Sequence, residues 1–187
     1  MTRRAVFVDR DGVLVEDVGF LDSIDRLRFF PWTIDTVRAL NRAQLAVVVI
    51  TNQSGIARAY FTEAFVEETH RYMSSRFADG GARVDAYYYC PHHPDGNVSP
   101  YARACDCRKP APGLVVRAAS DLGLDVARSF VVGDKWSDVQ LARTAGARGI
   151  LVRCGTGAAE LRRRPDLTAD ATADNLAAAA SWILSQC

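Results

Sequence analysis

Apolar runs of strand length alternate with helix-length segments along nearly the whole chain, and that alternation leaves few folds open. The most constraining run is Leu45–Thr51, β-branched and apolar without interruption up to Ile50. A strand with no polar face must be covered on both sides, which places it inside a parallel sheet. Ala5–Val8, Val84–Tyr89, Phe130–Val132 and Gly149–Val152 read as further strands. Between them, helices are expected over Thr33–Ala43, from a Thr62 cap to about Ala78, over Leu114–Leu122 and over Ser137–Ala145. In the second of these, Phe65, Val66, Tyr72, Met73 and Phe77 form the expected inner side. A last helix runs to Ile183 with Asp174 as its expected cap, and 90–112 is turn-rich and irregular. This βαβα order predicts one α/β domain over 1–187, a doubly wound, Rossmann-like parallel sheet with helices on both faces.

In such sheets ligands bind beyond the carboxyl ends of the strands. Three predicted strands end in polar residues of one kind: Asp9-Arg10-Asp11-Gly12, Thr51-Asn52-Gln53-Ser54 and Gly133-Asp134-Lys135. Carboxylates gathered at one edge repel unless a hard cation sits among them, and Mg²⁺ suits an all-oxygen donor set. The chain holds 23 Lys and Arg residues together, of which only Lys109 and Lys135 are lysines. A lysine survives such a bias where a compact point charge is needed and a guanidinium fork does not fit.

Five cysteines without a secretory context do not suggest a disulfide framework. Three of them crowd together: Cys90 and His92 are one residue apart, as are Cys105 and Cys107. In extended backbone residues i and i+2 project to one side, so each pair offers two ligands to one ion. Three thiolates and one imidazole make a closed, structural Zn²⁺ site, with His93 as the rival to His92. The zinc loop then spans about 90–107. Cys154, Cys187 and His70 are assigned no chemistry.

The segment Val6-Phe7-Val8-Asp9-Arg10-Asp11-Gly12-Val13 resembles the first motif of haloacid-dehalogenase-superfamily phosphatases. Ile50-Thr51-Asn52-Gln53-Ser54-Gly55 resembles their second motif, Arg108-Lys109-Pro110 the third, and Val132-Gly133-Asp134-Lys135 with Asp138 the fourth. The Cys90-Pro91-His92-His93-Pro94 and Cys105-Asp106-Cys107 segments are similar to a narrower branch, the heptose-bisphosphate and histidinol-phosphate phosphatases. The Thr-Asn-Gln-Ser-Gly-Ile-Ala-Arg form of the second motif leans toward the heptose enzymes. The resemblance implies Asp9 as nucleophile, Asp11 as general acid and base, and Thr51 and Lys109 holding the transferring oxygens. It implies catalytic Mg²⁺ on Asp9, the Asp11 backbone carbonyl and Asp134, with Asp138 orienting metal-bound water. It also implies that Asp17, Val18, Gly19, Phe20, Thr51, Asn52, Gln53, Ser54, Arg108, Lys109 and Lys135 contact a sugar bisphosphate. The implied reaction is hydrolysis of the 7-phosphate of a heptose 1,7-bisphosphate, in lipopolysaccharide and other surface-glycan precursor synthesis. Histidinol phosphate is the alternative substrate. Arg58 and Arg103 receive no role.

Other classes fit less well. A formal net charge of +1 does not suit an electrostatic binder of nucleic acid or membrane. A catalytically inactive, zinc-stabilised interaction module would show a damaged nucleophile or a basic stripe. Asp9 is intact, and Arg162-Arg163-Arg164 is too short to be a stripe. The Ala5–Val8 run between Arg4 and Asp9 is too short for a secretory leader, so a cytoplasmic monomer is expected. Only 39 residues separate Asp11 from Thr51, which leaves no room there for a large cap domain.

Overall fold

The computed structural model describes residues 2–186; Met1 and Cys187 lie outside it. Among the described residues six strands form one sheet: β1 (Ala5–Val8), β2 (Ala46–Asn52), β3 (Ala86–Cys90), β4 (Phe130–Gly133), β5 (Arg148–Val152) and β6 (Ala171–Ala173). Their order is β3-β2-β1-β4-β5-β6 and every pairing is parallel. The helices are α1 (Thr33–Arg42), α2 (Glu63–Asp79), α3 (Gly113–Leu122), α4 (Trp136–Ala145), α5 (Gly157–Arg163) and α6 (Leu176–Ser185).

Strand residues alternate between two apolar cores. Val6, Val8, Val47, Val49, Val132 and Ile150 face α1, α2 and α6, packing with Val37, Leu40, Met73, Phe77 and Ile183. Ala5, Phe7, Ala46, Val48, Ile50 and Val131 face α3 and α4, against Val115, Ala118 and Leu141. The doubly wound reading therefore holds, and period-2 alternation inside continuously apolar runs is its physical basis. None of the helices is long and apolar enough to cross a membrane, among the described residues.

Several details differ from expectation. Helix α5 and strand β6 were not anticipated, because both are short and the polar stretch leading from one to the other, with three arginines and a proline at 162–165, has turn-like composition. Strand β3 starts at Ala86, where Asp85 turns from solvent to accept hydrogen bonds from Arg3 and the Val47 amide. Thr62 caps α2 as predicted, accepting from the Phe65 amide. Tyr72 is exposed rather than inward, and Thr69 and His70 occupy the buried stripe with Val66, Met73 and Phe77. The cap of α6 is Asn175, whose Oδ1 accepts from the Ala178 amide; Asp174 instead pairs with Arg153.

From β1 the chain winds outward through β2 to β3, then returns to β4 on the opposite side of β1. A crevice opens where the winding reverses, beyond the carboxyl ends of β1, β2 and β4. The register sets Val8 level with Val49 and Val132, so β1 ends first and β2 runs on to Asn52 beside the residues that follow β1.

Candidate active site

Asp9 follows β1 directly, and its amide still donates to the Val132 carbonyl, so the sheet holds it in place. Asp134 and Asp138 come from the end of β4 and the first turn of α4. Each of the three brings a carboxylate oxygen within 4.8 Å of the others, and none is more than 4% exposed. Burial raises the carboxyls of Asp134 and Asp138, the latter to about 6.

One ammonium answers this charge. Lys109 Nζ lies 2.9 Å from Asp9 Oδ2, 2.7 Å from Asp138 Oδ1 and 3.1 Å from the Ile50 carbonyl. Burial alone would lower its affinity for a proton, but Asp138 and Asp9 outweigh that and raise it above the ordinary lysine value. Lys135 reaches Asp17 Oδ2 at 3.1 Å and Asp134 Oδ1 at 3.6 Å. Both lysines thus stand among carboxylates at the crevice.

Asp11 does not join the carboxylate triad. Its two oxygens accept from Arg10 Nε and a terminal Arg10 nitrogen at 3.0 and 2.9 Å, and Gln53 Nε2 donates to one of them at 2.9 Å. Arg10, only 2% exposed, was not singled out from the sequence; the signal was an arginine between two carboxylates at a strand end. Gln53 also donates to Thr51 Oγ1 at 2.8 Å. Asn52 clasps the Lys109 backbone instead of pointing only at ligand. Ser54, Asp17, Gly19, Phe20 and Arg108 line the open cleft, whose volume is about 660 Å³. The Val18 side chain does not: it is partly buried and packs against the apolar core.

Residues missed at the sequence level also line the cleft. Phe61 and Trp136 supply apolar wall, and Glu160 and Arg163 reach it from α5. Phe20 meets Tyr60 across two loops, with ring centroids 4.4 Å apart. Thr156, just before α5, holds the Asp134 side chain through its amide and its hydroxyl.

Asp134 Oδ1 is buried and has no hydrogen-bond partner. The Lys135 ammonium at 3.6 Å is too far to hydrogen-bond it, and a buried carboxylate oxygen in that condition is costly unless a closer cation comes to it. The donor set, all carboxylate at this point, fits Mg²⁺.

Cys90, His92, Cys105 and Cys107 form a second cluster, with ligand atoms within 4.8 Å of one another. The Cys90–Cys105 and Cys105–Cys107 sulfurs are 3.5 and 3.3 Å apart, and His92 Nδ1 lies 3.3 Å from Cys107 Sγ. Thiolate pairs on one zinc ion stand about 3.8 Å apart at a Zn–S bond of about 2.3 Å. Both the donors and their spacing fit zinc. Burial pushes the Cys90 thiol up and Cys107 up to about 11, so a cation is what would favour their thiolates. His93 is outside the cluster, its ring nitrogens 3.2 and 3.3 Å from an Arg58 terminal nitrogen. Arg103 lies against His92 Nε2 at 3.0 Å. The two unassigned arginines thus each meet a histidine of this loop.

A family model described as HAD-hydrolase-like matches residues 106–179. Two bacterial proteins named D-glycero-beta-D-manno-heptose-1,7-bisphosphate 7-phosphatase, from Salmonella typhi and Escherichia coli (strain K12), are each 45% identical over 152 residues. The match covers 81% of this chain and 81% and 80% of theirs. A crystal structure of D,D-heptose 1,7-bisphosphate phosphatase from B. bronchiseptica, complexed with magnesium and phosphate, superposes with a TM-score of 0.88 at 34% identity. It covers 98% of this chain and 99% of that one. Likeness of this extent, over a sheet whose carboxyl-end strands and loops carry all four expected motifs, settles the kinship: the chain is a phosphatase of the haloacid-dehalogenase-like family to which the D-glycero-D-manno-heptose-1,7-bisphosphate 7-phosphatases belong.

Proposed function

We propose that this phosphatase removes the 7-phosphate of a D-glycero-D-manno-heptose 1,7-bisphosphate through a phosphoenzyme on Asp9, as a step in heptose metabolism. The observation that carries the reading is the convergence of Asp9, Lys109 and Asp134 at one end of a cleft whose other walls are polar and aromatic. The named relatives act on that substrate class by their names.

An Asp9 oxygen attacks phosphorus, and the bond from phosphorus to the sugar oxygen breaks. Asp11 delivers a proton to the departing alkoxide, then takes one from the water that attacks the phosphoaspartate, which frees Asp9 and inorganic phosphate. Arg10 and Gln53 hold the Asp11 carboxylate, which lines the same cleft as Asp9. Lys109, with Thr51 at the end of β2, donates toward the phosphoryl oxygens, in a buried place where preorganised donors count most. Asp9, the Asp11 carbonyl and Asp134 would hold Mg²⁺, which when bound offsets repulsion between carboxylate and phosphate. Both oxygens of Asp138 are engaged, by Lys109 and by the Lys135 amide, which suits an orienting role better than direct ligation. Arg108 and Lys135 face the remainder of the substrate, and Phe20 offers an apolar surface to the sugar.

We further infer that zinc on Cys90, His92, Cys105 and Cys107 is structural. Four protein donors leave no open position for water, and the loop they tie leads straight into Arg108 and Lys109.

Steady-state kcat/KM with Mg²⁺ for heptose bisphosphate and for histidinol phosphate tests the substrate. The heptose bisphosphate is expected to be preferred and Asp9→Asn to abolish turnover. A strong preference for histidinol phosphate, or full activity in Asp9→Asn, overturns the reading.

A further inference from the structure

Asp134 is fully buried, and its two oxygens have unlike fates. Oδ2 is saturated: the Thr156 amide donates to it at 2.7 Å and the Thr156 hydroxyl at 2.8 Å. Oδ1 has no hydrogen bond, with the Lys135 ammonium 3.6 Å away as its ionic neighbour, and Asp134 belongs to the carboxylate group formed with Asp9 and Asp138. Two donors from one residue, one rigid and one on a side chain, fix the plane of the carboxylate. A carboxylate held at one oxygen cannot turn that oxygen toward the cation, so the choice of the ligating atom is made before the metal arrives.

The backbone around Thr156 is shaped for this contact. Gly155 has φ +61°, and a Cβ there would stand 2.4 Å from Asp134 Oδ2 and 2.6 Å from Gly12 Cα. Gly12 has φ +84°, and a Cβ there would stand 2.3 Å from the same oxygen. Two bare turns, one after β1 and one after β5, therefore close over Oδ2 and leave Thr156 as its hydrogen-bonding neighbour. Both positions need a residue that tolerates positive φ and carries no side chain.

We infer that Thr156 is a positioning residue for the catalytic metal: by occupying Asp134 Oδ2 it reserves Oδ1 as the ligand. The inference rests on the magnesium site proposed above and extends it to a residue outside the four motifs. Thr156 does not touch the reacting phosphoryl group; it acts through Asp134. Groups that orient metal ligands set affinity, and their loss typically costs about 10- to 100-fold.

The test is calorimetric titration of the magnesium-free, zinc-loaded protein with Mg²⁺ alone, which reads the site without substrate. Thr156→Val keeps the amide and the branched shape but removes the hydroxyl donor, and it is expected to raise the Mg²⁺ Kd by about tenfold or more. Thr156→Ser retains the donor and is expected to bind Mg²⁺ within about twofold of the parent, on the ordinary scatter of conservative changes. In turnover assays, the Mg²⁺ concentration giving half-maximal rate should rise for Val, with kcat largely restored at saturating Mg²⁺. Where Val is not accommodated, as shown by circular dichroism, Thr156→Ala removes the same donor without adding bulk and is expected to give the same weakening. Unchanged Mg²⁺ affinity in Val or Ala variants, with the parent binding normally, overturns the role of Thr156 while leaving the metal site intact. No Mg²⁺ binding by the parent overturns the site and this inference together.

Discussion

The Asn52 side chain clasps the Lys109 backbone from both sides. Its Oδ1 accepts from the Lys109 amide at 3.0 Å and its Nδ2 donates to the Lys109 carbonyl at 3.2 Å. A residue at the end of β2 thereby sets the height at which the loop after β3 delivers its ammonium to Asp9. Asn52→Ala should release that loop while leaving the sheet unharmed. A displacement of about 1 Å can cost on the order of 10²-fold in rate. Loss of kcat near that size, with a small change in melting temperature, is the expected result; wild-type kcat would show that Lys109 is placed by other contacts.

Lys109 is 4% exposed and bridges two carboxylates and a carbonyl with a single nitrogen. A guanidinium is larger and planar, and overpacking a tight site typically costs about 1–3 kcal/mol. Lys109→Arg should therefore lower activity by orders of magnitude despite keeping the charge. Phosphatase activity within twofold of the parent would contradict the point-charge argument.

The zinc cluster ends at Cys107, one residue before Arg108 and two before Lys109. Cys107→Ser should reduce bound zinc and lower kcat, because the loop carrying both cations loses its tie. Metal content by mass spectrometry, read beside the kinetics, is the check. Normal turnover in a verified zinc-free sample would show that the loop orders itself.

His70 is buried in α2, stacked on Tyr87 with ring centroids 4.7 Å apart, and its Nε2 has no hydrogen-bond partner. Burial, with the Arg10 charge adding to it, lowers its pKa from 6.5 to about 3. Between these values the unfolded chain binds a proton that the native one refuses, so stability rises with pH across that window. The contribution is complete above the unfolded value and is lost as pH falls toward 3. His70→Phe should flatten the acid limb measured by urea denaturation, by at most about 1.4 kcal/mol per pH unit. Parallel curves for parent and variant would mean that His70 accepts its proton without unfolding.

The fold was readable because β1, β2 and β4 are buried on both faces and so carry no polar residue until they end. That made the ends conspicuous, and Asp9, Thr51 and Asp134 could be picked out as a group. Helix α5 and strand β6 escaped for the opposite reason. They are short, and the segment between them, 164–170, is polar and carries a proline, so no apolar period marked them. Thr156 and Glu160 were missed with them. Val18 turns its side chain to the core while Asp17, Gly19 and Phe20 line the cleft, since successive side chains in a turn diverge.

Residue types and their spacing along the chain determined the sheet, the three polar strand ends and the two groups of metal-seeking side chains, since apolar runs and donor chemistry are legible in local sequence. Which oxygen of which carboxylate remains free was decided only in three dimensions. Gln53 reaches Asp11, Asn52 secures Lys109, and Thr156 reaches Asp134 from 22 positions away. Hydrogen bonds between distant segments depend on directions set by packing, and no pattern along the chain encodes a direction.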